Sequence, residues 1–416
     1  MALSTFIKDV NIQKYKFVLL FTYVLYATAI YIYSNFPDLN QYYYSADEGT
    51  YLRQALQVRV EGFSAFKSLC NDFVENKNQE QLFPNPLRVI HILLASIAVR
   101  FNTSIHSLSF LSLFFFILLN TSVFVFLKKW FNEQTATIMA CVVSVSPLLC
   151  ALSGRALSDV DSCFFHILVL FTFINYLQSP DNKRFAYFII GLVFNILVKE
   201  TGGFLIPFYT LILIYNRYYL KKQIIPSWHI IGSVVLPLLI SGLIVLIVIG
   251  DLSSIIAIIK VLIQNNVSSN TLIPYVKSYN SGPWYLYIIN FLLLSPLTLL
   301  IFLLSLGYYL MQTKKHGVIS VILLYILYSV ICYNFLPKNV RYVVQLDVVI
   351  RICGMFFLID MIQKIRSSAL TKKVSLTVLI LFIMTYDLFN YHKFFIKRKI
   401  YDPISYELLK TENIIP

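Results

Sequence analysis

Leu87-Arg-Val-Ile-His-Ile-Leu-Leu-Ala-Ser-Ile-Ala-Val-Arg-Phe101 is the stretch on which the topology of this chain turns. It is apolar, yet as a helix at about 1.5 Å per residue it reaches only about 22 Å, against a hydrocarbon core of about 30 Å. It is therefore read as a helix lying at a membrane surface. The other apolar runs are mostly longer: 16–34, 105–127, 134–151, 162–178, 185–198, 203–218, 229–250, 284–311, 317–335, 342–362 and 374–391. These predict an all-α polytopic membrane protein with about eleven spans. If 87–101 does not cross, Lys and Arg fall on alternate sides. One side collects Lys8, Lys14 and Lys16, then Lys128 and Lys129, Lys183 and Arg184, Arg217, Lys221 and Lys222, Lys314 and Lys315, and Lys364, Arg366, Lys372 and Lys373. The short loops of the other side hold Arg155, Lys199, Lys338 and Arg341. Basic residues favour the cytoplasmic side, so the first set is inner and the second outer.

Composition agrees. Of 416 residues, 58% are hydrophobic and 13% charged, mean hydropathy is +0.72, and soluble domains carry about 25% charged residues. The formal charge of +14 is spread in short clusters between apolar runs, which fits topology signals and anionic headgroups. No basic-aromatic module is present, so nucleic acid is not an expected partner. The six cysteines lack metal-ligand or CxxC spacing, and all but Cys70 lie in or beside apolar runs. Phe17–Tyr33 reads as a retained signal anchor. Residues 1–391 are expected to form one transmembrane domain, with residues 35–104 as a long first outer loop and 392–416 as a short outer tail. Within that loop Leu52, Ala55, Leu56, Val60 and Phe63 recur at helical spacing, which predicts an amphipathic helix resting on the membrane. The short loops and the lack of a retention signal point to a bacterial plasma membrane.

Four polar sites interrupt this chain, and loop parity puts all of them on the outer face. Asp47 and Glu48 open the amphipathic helix, where acidic groups also suit the helix dipole. Arg155 and Asp159, in the loop after the third span, are spaced to share a helix face and to form a local ion pair. Asp161 would point elsewhere, toward water. Lys199 and Glu200 break apolar sequence where a helix reaches the outer face. Ionisable groups at such depth usually face a cavity or a protein interior, although a lysine can also snorkel. Arg341 and Tyr342 form the fourth site, and the guanidinium fork suits a phosphate. Asp347 and Arg351 read as a structural pair, and His91 and His166 as satisfied helix residues. No cluster has metal-ligand spacing, so no cofactor is expected, with a divalent cation left open. Carboxylates and cations at one interface, above helices able to hold a lipid tail, suit transfer from a lipid-phosphate sugar. A carboxylate can take the proton of an attacking hydroxyl, and cations can hold the departing phosphate. A transporter of a lipid-linked sugar is the competing reading, and a non-catalytic scaffold the third.

These stretches resemble the GT-C superfamily of integral membrane glycosyltransferases, in particular the branch of protein O-mannosyltransferases and lipid A aminoarabinose transferases. Asp47, Glu48, Tyr51 and Ala55 match an Asp-Glu-x-x-Tyr-x-x-x-Ala pattern, and Pro86-Leu87 matches the step that opens a juxtamembrane helix. Arg155 and Asp159 match an Arg-x-x-x-Asp pattern. Lys199-Glu200-Thr201, Gly282-Pro-Trp-Tyr285 and Arg341-Tyr342 match later elements. The resemblance implies a polyprenyl-phosphate sugar donor, inversion at the anomeric carbon, and Asp47 as general base. It assigns Glu48 and Asp159 to the catalytic centre, and Arg155, Lys199, Glu200, Arg341 and Tyr342 to substrate and phosphate. Acceptor and sugar stay open.

Overall fold

The computed structural model describes residues 12–37, 46–75, 84–220, 225–267, 278–312 and 316–414. The described residues form helices and no strand. In order they are α1 (Ile12–Ser34), α2 (Ala46–Glu61), α3 (Ala65–Glu75), α4 (Val89–Phe101), α5 (His106–Trp130), α6 (Glu133–Ser144), α7 (Pro147–Ser153), α8 (Asp159–Gln178) and α9 (Asn182–Val198). A 3₁₀ turn, Glu200–Leu205, leads into α10 (Ile206–Tyr215), followed by α11 (Ser227–Ile249), α12 (Leu252–Val267), α13 (Leu286–Leu294), α14 (Pro296–Met311) and α15 (Gly317–Tyr333). A second 3₁₀ turn, Val340–Val343, precedes α16 (Val344–Lys364), and α17 (Ala369–Tyr391) and α18 (Ile404–Thr411) complete the chain.

Among the described residues six helices are long and apolar enough to cross a membrane, or seven if the bent pair α6–α7 counts as one span. The expected run 134–151 is thus not one straight helix. It bends by 62° at Val145-Ser146, where the Ser146 hydroxyl accepts from the Leu149 N–H at 3.1 Å and Pro147 starts the new helix. Pro at the first helical position loses no hydrogen bond, because that N–H has no intrahelical partner anyway. The run 284–311 also breaks, at Ser295-Pro296, where Pro296 again starts the new helix but Ser295 gives no side-chain cap. The run 203–218 starts as a 3₁₀ turn and continues as α10, and α12 forms between the runs 229–250 and 284–311. Lys8, Lys221, Lys222, Lys314, Lys315 and the loop 35–104 at 38–45 and 76–83 lie outside the described residues.

The span that includes α16 is the hub. Its apolar window is 83% buried, and that of α8 is 78% buried, against 28% for α1 and α11. Helix α16 packs on α6, α8, α14, α15 and α17. At its centre Arg351 is fully buried and ties four elements together: Asp347 one turn away (3.0 Å), Asp387 of α17 (2.5 Å), Ser295 at the α13–α14 break (2.7 Å) and the Val142 carbonyl of α6 (3.3 Å). The expected structural pair Asp347–Arg351 is therefore part of a larger joint between helices.

The short segment that decided the topology is indeed one short helix, α4. Asn85 accepts from the Leu87 N–H at 3.0 Å and holds the turn before it. Helix α4 then packs along α2, with α5 and α9 on its other sides. The amphipathic helix α2 differs from expectation in which face it buries. Glu48, Tyr51, Ala55 and Val58 are the buried stripe, while Leu52 and Leu56 are half-buried and Val60 and Phe63 are exposed. The stripe follows the 48, 51, 55, 58 spacing of one helical face.

Candidate active site

Every candidate site residue stands at the end of a helix, in a connection between helices or in a 3₁₀ turn. Asp47 and Glu48 occupy the first turn of α2. Arg155 lies in the connection from α7 to α8, and Asp159 opens α8. Lys199 is the C-cap of α9 and Glu200 begins the following 3₁₀ turn. Arg341 and Tyr342 belong to the 3₁₀ turn before α16. The site is built where the bundle has finished its internal hydrogen bonds and the chain can turn side chains inward.

Arg341 is the centre of one group. Its Nη2 donates to Asp47 Oδ2 at 2.5 Å, its Nη1 lies 3.8 Å from Asp159 Oδ2, and its Nε lies 3.3 Å from Asp402 Oδ1. The Nε contact is an ion contact, since that N–H is not aligned for a hydrogen bond to any protein atom. Lys199 Nζ donates to the other oxygen of Asp159 at 2.7 Å. Both cations sit over the Tyr342 ring, at 5.0 Å for Lys199 and 5.1 Å for Arg341, in the range of cation–π attraction. Lys199 is buried, so it is an interior ligand of Asp159 and does not snorkel.

Two neighbouring pairs frame this group. Arg155 holds Glu48 through both carboxylate oxygens, at 2.6 and 2.7 Å, and the Ala156 N–H adds a third bond at 3.1 Å. The expected local pair between Arg155 and Asp159 does not form, because each finds a partner from a distant segment. Arg88, at the N-cap of α4, holds Glu200 through both oxygens at 2.9 and 2.7 Å and also donates to the Tyr51 hydroxyl. The Tyr51 hydroxyl also shares a hydrogen bond with the Ser158 hydroxyl, at 2.7 Å. Burial works against ionisation of Glu200, but Arg88 and the hydrogen bonds outweigh it and lower its pKa to about 2. Beneath, His91 Nδ1 meets Asp161 Oδ2 at 2.6 Å with both side chains buried, so Asp161 does not face water.

Asp47 and Glu48 are adjacent yet differ sharply. The Glu48 side chain is 1% exposed and bound on both oxygens, whereas Asp47 is 18% exposed and its pair with Arg341 uses Oδ2 alone. Asp47 is thus the carboxylate of this pair that a substrate hydroxyl can approach.

Sequence reasoning missed two contributors. Arg88 had a signal, since it is the charge directly after Pro86-Leu87. Asp402 had none: it lies in the tail, where only Lys397, Arg398 and Lys399 draw attention. The tail packs back on the bundle, with Ser405 Oγ accepting from the Val340 N–H at 2.8 Å and from Asn290 at 3.0 Å. Asn339 Nδ2 donates to Asp402 Oδ1 at 2.7 Å, and the neighbouring Tyr401 ring lies 4.6 Å from the Arg155 guanidinium. Burial pushes the Asp402 carboxyl above its usual range, Arg341 draws it back only in part, and the Asp47 charge adds to the rise.

A cavity of about 1020 Å³ is walled by α8, α10, α13, α14, α15 and α16. Tyr287, Phe291, Leu299, Phe302, Leu346 and Ile350 are among its lining. Leu346 and Ile350 stand one and two turns along the chain from Tyr342, so the lining on α16 starts one turn from the ring that both cations share. Among the described residues no group of three or more His, Cys, Asp or Glu side chains is placed to hold a metal ion.

No protein-family model and no curated protein sequence matches the chain. Solved structures do. The apo oligosaccharyltransferase of Archaeoglobus fulgidus aligns over 92% of this chain and 56% of its own length, at 13% identity and a TM-score of 0.58. ArnT from Cupriavidus metallidurans, solved with undecaprenyl phosphate, aligns over 95% of this chain and 75% of its own, at 13% identity and a TM-score of 0.55. The archaeal oligosaccharyltransferase AglB, in complex with an inhibitory peptide and a dolichol-phosphate, aligns over 85% and 56% at 12% identity and a TM-score of 0.50. This chain therefore spans about half the length of the oligosaccharyltransferases. The chain thus shares the fold of the Archaeoglobus fulgidus oligosaccharyltransferase and of ArnT.

Proposed function

We propose that this protein is a glycosyltransferase that moves a sugar from a polyprenyl-phosphate carrier to an acceptor at the outer face of the membrane. The observation that carries the reading is the meeting of Asp47, Asp159, Lys199 and Arg341 from four separate segments, with an apolar cavity whose lining on α16 starts at Leu346, one turn past Tyr342. Asp47 acts as general base. It takes the proton of an acceptor hydroxyl as that oxygen attacks the anomeric carbon, from the side opposite the phosphate. The bond from the anomeric carbon to the phosphate oxygen breaks, and the electron pair leaves with the carrier phosphate. Arg341 and Lys199 meet the charge that grows there, in a setting shielded from water where such contacts are stronger. Asp159 orients the two cations. Glu48 and Glu200, each in a two-oxygen pair with an arginine, hold the helix ends that frame the centre, and Tyr342 gives the cations an aromatic wall. The cavity takes part of the isoprenoid tail. ArnT and AglB, solved with undecaprenyl phosphate and with a dolichol-phosphate, lend support by analogy of fold.

A scaffold would not need charged residues from distant segments to converge, and 2.5 Å between Arg341 and Asp47 is a contact of one centre. A carrier would place its polar site near the bilayer midplane, whereas these residues sit at helix ends. The test is Asp47→Asn. Because Asp47 is partly exposed, the variant is expected to insert and fold normally and to lose transfer at least about 100-fold, the scale of a general base. Transfer is read as loss of the glycan or glycolipid product in membranes of the producing cell, by mass spectrometry. Full activity in a normally inserted variant would remove Asp47 from the role.

A further inference from the structure

The site has more acid than base. Asp47, Glu48, Asp159, Glu200 and Asp402 meet Arg88, Arg155, Lys199 and Arg341. Two of the acids are bound in two-oxygen pairs away from Arg341, and Asp159 is shared with Lys199. The surplus therefore falls on Arg341, which faces Asp47 and Asp402 together. A phosphate that approaches Arg341 must compete with these two carboxylates. Asp47 is committed to the acceptor side, so the competitor is Asp402.

Resting on the reading above, we propose that Asp402 is a built-in counter-anion of Arg341, which competes with the carrier phosphate and limits how tightly the site holds it. The geometry is specific. Asp402 meets the Nε edge of the guanidinium at 3.3 Å, while Asp47 takes Nη2. The Nε edge is one of the two a phosphate uses in a two-point contact with arginine. Asp402 is held there by Asn339 at 2.7 Å and by the Ser405 anchor of its segment. Asn339 also caps the Arg341 turn, with its side chain accepting from the Arg341 N–H at 3.3 Å. One asparagine thus sets both members of the pair. The consequence is functional: transfer leaves a carrier phosphate on Arg341, and a competing carboxylate speeds its release.

The charged and titratable groups that face Asp402 are Arg341 and Tyr342 from the 3₁₀ turn, Asp47 from α2, and Arg155 from the α7–α8 connection. Burial raises the Asp402 carboxyl, so it takes up a proton at a higher pH than a solvated aspartate does. Protonation of Asp402 removes its competition for Arg341.

The experiment measures undecaprenyl phosphate binding to the full chain in nanodiscs of neutral phosphatidylcholine, from pH 5 to 8. Asp402→Asn is compared with wild type, with Asp402→Glu, and with the same change in an Arg341→Gln background. Removing one negative charge beside the phosphate is expected to tighten binding about tenfold at neutral pH. The phosphate's own second ionisation, near pH 6, lowers its repulsion from Asp402 as pH falls, so the size of the gain is read at neutral pH. Asp402→Glu should stay close to wild type, and in the Arg341→Gln background Asp402→Asn should change little. A folded Asp402→Asn protein with unchanged or weaker binding overturns the proposal and leaves the transferase reading standing. A folded wild type that binds no undecaprenyl phosphate, with no variant that does, overturns both.

Discussion

Glu48 and Asp47 show how one residue step divides structure from chemistry. Glu48 falls on the buried stripe of α2 with Tyr51, Ala55 and Val58, so its charge must be met inside the protein, and Arg155 meets it. A buried pair adds little net stability, but breaking it is costly, because the remaining charge is left in a medium that cannot solvate it. Glu48→Gln is expected to destabilise the protein by about 3–5 kcal/mol, read as a large fall in the thermal midpoint in detergent. Asp47→Asn, at the partly exposed edge of the same turn, should leave that midpoint nearly unchanged. If the two variants were equally unstable, the division between a structural glutamate and an accessible aspartate would fail. The sequence points to the acidic pair but not to its division. The stripe expected from Leu52, Ala55, Leu56, Val60 and Phe63 weighs apolarity alone, and a paired glutamate buries as completely as a leucine.

At the scale of elements, the site depends on turns whose shape sequence periodicity does not report. The Glu200–Leu205 3₁₀ turn carries Glu200 and follows Lys199, and its return onto α9 brings Gly202 against Asn195. A Cβ on Gly202 would lie 2.7 Å from the carbonyl carbon and oxygen of Asn195 and 2.9 Å from its side-chain carbon. Backbone cannot yield as a flexible side chain can, so Gly202→Ala must shift the turn. The expected cost is about 1–3 kcal/mol, with transfer reduced beyond what the stability loss explains, because Lys199 moves off Asp159. Melting and product formation measured on one preparation test this. Retained stability and activity together would show that the turn tolerates the side chain. Apolar runs place helices well, and the two broken runs show where that stops. Ser146-Pro147 and Ser295-Pro296 read equally well as a proline within one long span or as a cap followed by a first-turn proline. The choice belongs to tertiary contacts, since Ser146 and Ser295 both reach the Asp347–Arg351 joint.

For the whole molecule, the order of motifs along the chain anticipated the fold, because four polar interruptions at one end of a helical bundle must meet if the bundle is compact. Asp402 could not be anticipated in this way. It owes its place to the Ser405 and Asn339 contacts that fold the last segment back, and no periodic signal precedes it. The sidedness of the molecule rests on α4. With 13 residues, at about 1.5 Å each, it is far too short to cross, and its packing along α2 keeps it beside the site. The chain after α4 should then emerge on the same side as the site, with α5 crossing inward. Thr103, exposed just beyond α4, and Ser281, exposed before α13, are expected on the outer face, and exposed Ser367, between α16 and α17, on the inner. Single cysteines at these positions, in a protein whose half-buried Cys332 is replaced by Ser, report this directly. A membrane-impermeant maleimide should label Thr103→Cys and Ser281→Cys in intact cells, and Ser367→Cys only after permeabilisation. Thr103 is the decisive position. Were the segment before it to cross the membrane, Thr103→Cys would be silent in intact cells, the basic clusters would lose their alternation, and Asp47 and Arg341 could not belong to one face.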